Sequence, residues 1–466
     1  NQLTLGSAAA ASGLQSFDSS SSGNNDVLQL DARNFANALS ITSGAAGDII
    51  QLGSGGSVVD AGNGDNSVTV GAVNDGVHDD NITTGAGDDV IHSTDAQFTS
   101  HLTVSAGAGL DTLEVSTDAS VIDADFSGLT SVESLKLAAD AADNAQSVVL
   151  AAQAATAGLL AVDATGVGAS DAVSIDASAF ANALTVDTAD GNDVITLGVG
   201  GSVVDAGNGD NLITLGADND GVHDDAITTG SGSDHVLGSA AQLNSHLVLD
   251  AGGGVDTLEV TSDAAIVDAD FGGVDALEIL KLSADAVDND QSVSLAAAAS
   301  AAGLTTVDAT AIGADDTLTI NASGFSAALT ITAAASQDVV FLGAGGGTVN
   351  SGDGNDDVSS GAVNDGSIDD HIDLGTGNDI LRIDSDNFTS HFVLDGGEDF
   401  DILRLNGEVL VVDADFTQVS RLEKISLIAD ASGNLHQLTL GSASAAAGVE
   451  SIDATAVGND DVIVVD

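Results

Sequence analysis

The segment that opens at Gln146, QSVVLAAQAATAGLLAVDAT, comes back at Gln291 as QSVSLAAAASAAGLTTVDAT. It is recognisable at Gln2 as QLTLGSAAAASGLQSFDSS and at Gln437 as QLTLGSASAAAGVESIDAT. The starts lie 144, 145 and 146 residues apart. A period that constant marks a linear array of like units, each burying its core against its neighbours. It predicts repeats at 1–145, 146–290 and 291–436, with 437–466 opening a fourth, as a window from a longer array.

A shorter rhythm runs inside each repeat. Runs of four to six residues rich in β-branched types alternate with Gly/Asp/Asn clusters, as in AVSIDAS, ALTVDTA, DVITLG, SVVDAG, NLITLG, HLVLDAG and DTLEVTS of the second repeat. Such runs bounded by turn residues read as strands. Their spacing leaves no room for intervening helices. Only the Ala-rich stretch after each repeat start (151–157, for example) has helical character, and the reading favours a coil there. The turns form a ladder: Asp26, Asp48, Asn66, Asp89 and Asp111, then Asp171, Asp193, Asn211, Asp234 and Asp256, then Asp316, Asp338, Asp356, Asp379 and Asp401. Rungs recur 22, 18, 23 and 22 residues apart. That step is one coil of a two- or three-sided solenoid, so the expected fold is all-β. It is a right-handed parallel β-solenoid (a β-helix or β-roll) with about seven coils per repeat. Apolar residues after the rungs, Val194 and Ile195, Leu258 and Ile380, are expected to face the core on alternate positions.

The formal charge is −65, from 72 acidic and 7 basic residues. That sign excludes nucleic-acid binding, which needs a cationic surface, and argues against docking on an anionic membrane. Self-repulsion of this size opposes compaction unless cations sit among the carboxylates. Yet 43% of the residues are hydrophobic, too many for a disordered acidic tail. There is no cysteine, hence no disulfide or thiolate metal site. No stretch reaches the roughly 20 strongly apolar residues of a membrane span.

Glycines precede the rungs at fixed offsets. Gly85-Ala-Gly87-Asp-Asp89, Gly107-Ala-Gly109-Leu-Asp111, Gly230-Ser-Gly232-Ser-Asp234, Gly252-Gly-Gly254-Val-Asp256, Gly352-Asp-Gly354-Asn-Asp356 and Gly375-Thr-Gly377-Asn-Asp379 all have the form G-x-G-x-D. Glycine permits positive φ and aims carbonyls inward, and the Asp adds a carboxylate. An all-oxygen cage completed by the next coil suits Ca²⁺ rather than Zn²⁺ or octahedral Mg²⁺. Asp193 and Asp401 stand at the same position after altered turns. Other rungs are degenerate: Asn66 and Asn211 replace Asp, Asp399 replaces the second Gly, and the turn 334–338 lacks both glycines. The competing reading is that these turns only close coils, with Asp capping backbone amides.

The motif resembles the RTX family, whose G-G-x-G-x-D-x-U-x repeats form Ca²⁺-binding parallel β-rolls. The motifs here lie about 20 residues apart rather than in continuous nonapeptides. In that respect the chain is closest in style to calcium-dependent bacterial surface-layer proteins. The resemblance implies multiple Ca²⁺ ions, an extracellular or cell-surface location, and assembly with copies of itself into a surface layer or filament. The alternative is the rigid extender of a giant secreted RTX-type adhesin. Cell-surface polysaccharide enters as a partner only through regions outside these residues.

A second acidic element runs from Asn74 to Asp80, with Asp75, Asp79 and Asp80. It recurs with Asp220, Asp224 and Asp225, and again with Asp365, Asp369 and Asp370. It reads either as another Ca²⁺ site bridging neighbouring chains or as a solvated loop. Phe35, Phe180 and Phe325 read as core plugs, and Asp123-Ala-Asp-Phe126 and its copies as coil corners. His101, His246 and His391 read as structural, since no second His stands at ligand spacing. Lys136, Lys281 and Lys424 are expected to pair with Glu133, Glu278 and Glu423. Catalysis is not expected. A polysaccharide-degrading β-helix would need basic residues in the site, and the arginines do not recur between repeats; H-E-x-x-H, G-x-S-x-G and P-loop motifs are all missing.

Overall fold

The computed structural model describes the chain except residues 1, 24, 118, 139–144, 169–170, 263–264, 284–289, 314–315, 429–434 and 459–461. It is all-β, with parallel sheets forming a β-solenoid of about 19 turns. The chain divides into two compact units, Asn1–Asp234 with Gly252–Gly254, and His235–Ala251 with Val255–Asp466.

In the first unit most coils lay one short strand on each of two sheets, and the coil from Thr112 to Ser134 lays strands on three, Thr112–Val115, Ser120–Val121 and Leu129–Thr130. One sheet runs in parallel register through Gln29–Asp31, Ile49–Gln51, Ser67–Thr69, Val90–Ser93, Thr112–Val115, Ser134–Ala138, Ala161–Gly166, Leu184–Asp187, Ser202–Asp205 and Ala226–Thr228. Period-2 alternation puts one column of aliphatics on the inside of this sheet: Leu30, Ile50, Val68, Ile91, Leu113, Leu135, Val162, Val186, Val204 and Ile227, all buried. Each such side chain is worth roughly 1.5–3 kcal/mol of burial, which a regular stack supplies coil after coil. The alternation also corrects one expectation. The second residue after a rung faces the core, so Ile195, Leu258 and Leu381 are buried while Val194 is exposed and Ile380 lies part-way.

A repeat does not hold a whole number of coils. From Gln29 the same sheet recurs at Ile49, Ser67, Val90, Thr112, Ser134 and Ala161. The residue 145 positions after Gln29 is Ser174, which lies on a different sheet, paired with Ser147 and Val194. Repeats therefore advance by six coils and part of a seventh. The sheet that follows the rungs in one repeat becomes the opposite sheet in the next, where Leu184–Asp187 and Ser202–Asp205 pair. The second unit behaves alike: Thr257–Val260 and Ile279–Ser283 lead into Thr306–Ala311, Leu329–Thr332 and Gly347–Asn350, while the rungs of the third repeat serve a separate nine-stranded sheet. Equivalent rungs of the first and second repeats therefore lie on different sheets rather than in one line.

The Ala-rich stretches are short helices, not coil: α1 (Ser7–Ala11), α2 (Ala152–Ala157), α3 (Ala297–Ala301) and α4 (Ser442–Ala447). Too short to persist alone, they are held by tertiary contacts. Asp123, at the start of the short 3₁₀ helix Asp123–Gly128, accepts the N–H groups of Ala151, Gln153 and Ala154 at the start of α2. Asp268 and Asp413 do the same for α3 and α4. What reads as a corner is a helix cap supplied from about 30 residues upstream. The buried Phe126 and Phe416 sit beside it in edge-on contact with Phe98 and Phe388.

Candidate metal ladder

The rung carboxylates point into the coil corner and hydrogen-bond along the solenoid. Oδ1 of Asp48 accepts the Leu28 N–H (2.8 Å), Oδ1 of Asn66 that of Asp48 (2.9 Å), Oδ1 of Asp89 that of Asn66 (2.7 Å), and Oδ1 of Asp111 that of Asp89 (2.8 Å). The second repeat has Asp193 on Val173, Asn211 on Asp193 and Asp234 on Asn211. The third has Asp338 on Leu318, Asp356 on Asp338, Asp379 on Asp356 and Asp401 on Asp379. The sequence reading missed both ends of this ladder. Its last rung is a glutamate: Glu133, Glu278 and Glu423 accept the N–H groups of Asp111, Asp256 and Asp401. The signal was there in the 22-residue step from Asp111 to Glu133. The lysines pair elsewhere, Lys136 with Glu114, Lys281 with Glu259 and Lys424 with Asp453. At the other end Leu28, Val173 and Leu318 stand in line, two residues past Asp26, Asp171 and Asp316.

The glycines let these corners stack. A Cβ on Gly107 would lie 1.8 Å from the Gly85 carbonyl oxygen, and one on Gly109 2.0 Å from that of Gly87. Both have positive φ, and the residues between them bridge in parallel, as in Ala86 with Ala108 and Asp353 with Thr376. Gly230 and Gly232 stack on Gly207 and Gly209, Gly252 and Gly254 on Gly230 and Gly232, and Gly375 and Gly377 on Gly352 and Gly354.

What surrounds the second oxygen of each rung is shown by the asparagines. Nδ2 of Asn66 donates to the carbonyls of Gly64 (2.7 Å) and Thr84 (3.1 Å), with that of Gly62 at 3.4 Å. Nδ2 of Asn211 donates to Gly209 and Thr229, both at 3.2 Å. At an Asp rung an oxygen replaces this nitrogen. Oδ2 of Asp48, Asp111, Asp338, Asp379 and Asp401 is buried without a hydrogen-bond partner. Beside Asp89, Asp193 and Asp356 the hydroxyls of Thr84, Thr188 and Ser351 donate to carbonyls of the next coil instead. Such groups are costly to leave unmatched.

The electrostatics agree. Burial, reinforced by neighbouring carboxylates, pushes Asp111 up to about 6 and Asp356 and Asp401 up to about 7. Burial also lifts Asp338 and Asp379 to about 6, and raises Asp89, Asp193 and Asp234. Among the described residues no three His, Cys, Asp or Glu side chains converge on one point. A cation here would be held by one carboxylate per rung together with main-chain carbonyls. That hard, all-oxygen set fits Ca²⁺.

The acidic loop is built differently. Asn74, at φ +48°, accepts the Asp80 N–H through Oδ1 (2.7 Å). Asp80 is fully buried and spends both oxygens, on the N–H of Ser57 (2.8 Å) and those of Gly71 and Ala72 (3.0 Å each). Asp225 accepts from Ser202, Gly216 and Ala217, and Asp370 takes the same interior place. These three anchor the loop from inside, leaving Asp75, Asp220 and Asp365 exposed and Asp79, Asp224 and Asp369 half-buried, bonded to the N–H groups of Gly76, Gly221 and Gly366. Asp75, Asp220 and Asp365 are held below the usual carboxylate range by backbone N–H groups two and three residues on.

No protein-family model matches the chain, and no curated protein matches it. No helix among the described residues is long and apolar enough to cross a membrane.

Proposed function

We propose that the chain is a non-enzymatic, calcium-stapled structural repeat protein of the bacterial exterior, which assembles laterally with its own copies into a surface layer or filament. The observation that carries the reading is the row of buried carboxylate oxygens set among turn carbonyls without hydrogen-bond partners. Ca²⁺ bound there supplies the missing charge and couples folding to metal. Asp89, Asp111, Asp193, Asp234, Asp256, Asp356, Asp379 and Asp401 would hold the ions with carbonyls of their glycine turns. The asparagine rungs, Asn66 and Asn211, place an amide where the ion would sit and need none. Exposed Asp75, Asp220 and Asp365 are the groups through which Ca²⁺ would bridge neighbouring rods, since Asp79, Asp224 and Asp369 are half-buried and held by N–H groups of their own loops. The non-integral number of coils per repeat supports a layer over a lone stalk, because it presents ladder and loop on different sheets in successive repeats. The test combines calcium binding with imaging. Asp379→Ala should lower calcium stoichiometry where Asn211→Ala does not, and ordered assemblies should disperse in EGTA. Strand content and urea resistance in EGTA equal to those in millimolar Ca²⁺ would refute the reading.

A further inference from the structure

One surface feature recurs in every repeat and belongs to neither the ladder nor the core. A groove of about 410 Å³ lies between the strands Leu39–Thr42 and Ser57–Asp60 and the loop that carries Val77 and Asp79. Its counterpart in the second repeat, about 300 Å³, is lined by Leu160, Val203, Val222 and Asp224. A third of about 360 Å³ occupies the equivalent place in the third repeat. Large aliphatics stand open to solvent here: Val58 is 59% exposed, Val203 57%, and Val77 and Val222 each 78%. In the first two grooves the described walls carry these valines, one carboxylate (Asp79 or Asp224) and no basic residue. Oδ1 of Asp79 is held by the Gly76 N–H at 2.8 Å, which fixes the carboxylate at the groove wall.

We infer that these grooves bind a cationic amphipathic peptide segment, an aliphatic side chain next to a lysine or arginine. The valines take the apolar side chain and the carboxylate takes the cation. The field of a chain at −65 concentrates such ligands at its surface. A second copy of this chain is a poor occupant. It has only 7 basic residues, and Arg33, Lys136, Lys281, Arg382, Arg421 and Lys424 are already engaged by acidic partners. In the first unit the two grooves lie on different sheets, Ser57–Asp60 in one and Ser202–Asp205 in another. A multivalent basic partner would therefore engage the array from more than one side, with avidity growing by repeat number. The third groove has Thr348 and Ser367 where the first has Val58 and Val77, with Ile368 and His371 also on its wall, which makes it a natural variant of different lining.

The test uses the whole chain, labelled on Ile, Leu and Val methyls, at fixed millimolar Ca²⁺. Three capped tetrapeptides are titrated: Leu-Lys-Leu-Lys, Leu-Glu-Leu-Glu and Ser-Lys-Ser-Lys. The Leu-Lys peptide should give saturable shifts at Val58, Val77, Leu160, Val203 and Val222, and bind about tenfold more tightly than either control, as one buried aliphatic contact would give. Val203→Ser with Val222→Ser should abolish the response read at Leu160 while the first groove still binds. These residues are exposed, so the pair leaves the core intact. Equal binding of the Ser-Lys peptide would mean diffuse counter-ion attraction and overturn the inference. So would equal binding of the Leu-Glu peptide, shifts away from the grooves, or the same shifts on concentrating the protein alone. Calcium is constant throughout, so failure here leaves the ladder reading standing.

Discussion

Replacing Asp401 by asparagine isolates the charge of one rung without changing its shape. In the native chain Oδ1 of Asp401 accepts the Asp379 N–H at 3.0 Å, while Oδ2 is buried and unmatched. Burial, with Asp379, Glu423 and Asp399 close by, raises the carboxyl from 3.8 to about 7. An Asp whose native pKa lies above its unfolded value is a liability wherever it must ionise. Its penalty is absent below about pH 4, grows between about 4 and 7, and is complete above about 7. A rise of that size corresponds to an upper bound of about 4 kcal/mol, and relaxation brings this to about 1–3 kcal/mol, the usual cost of a buried unmatched polar group. The substituted side chain keeps the Oδ1 bond and offers an amide, as Asn66 does to Gly64 and Thr84. In EGTA at pH 8, Asp401→Asn should therefore be more stable than wild type by about 1–3 kcal/mol. The gain should vanish at about pH 4, and in Ca²⁺ the variant should bind fewer ions. Urea unfolding followed by far-UV circular dichroism at several pH values, with equilibrium dialysis for calcium, measures both. The reasoning fails if the variant is less stable than wild type in EGTA at pH 8. It also fails if the wild-type apo chain loses stability on going from pH 8 to pH 5. Carboxyls with lowered pKa do not blur that window: Asp413, held at about 2 by the N–H groups of Ser444 and Ala443, loses its contribution only below about pH 4.

Two further substitutions probe the scaffold. Asp268→Ala removes the acceptor for Ala296, Ala298 and Ala299 and should cost about 1–2 kcal/mol, read as faster amide exchange confined to α3. Gly109→Ala forces a Cβ to 2.0 Å from the Gly87 carbonyl oxygen at φ +150°, whereas nothing lies within 4 Å of a Cβ on Gly253. The first should disrupt its coil and Gly253→Ala should be tolerated, by thermal melting in Ca²⁺.

The strand rhythm, the parallel solenoid and the rung positions were legible because each rests on local chemistry. Residues such as Ile195 and Leu258 follow period 2, and Gly85 and Gly87 mark a turn that only glycine can make. The cap of α2 by Asp123 was not legible, because donor and acceptor lie 28 to 31 residues apart and an Ala run has no cap of its own in sequence. Glu133 was misassigned for a related reason. Lys136 stands nearby in sequence, but the coil brings Glu114 beside Lys136 and sends Glu133 to Asp111.

The period, the strand type and the excess of negative charge can be read from the chain alone, since composition and spacing are properties of the chain. The phase belongs to the fold: 145 residues make six coils and part of a seventh, so ladder and groove change sheets from one repeat to the next. That depends on coil length, which runs from 18 residues between Leu184 and Ser202 to 27 between Ser134 and Ala161. Coil length is set by helices and loops whose stability comes from the neighbouring coil, and no count along the chain contains it.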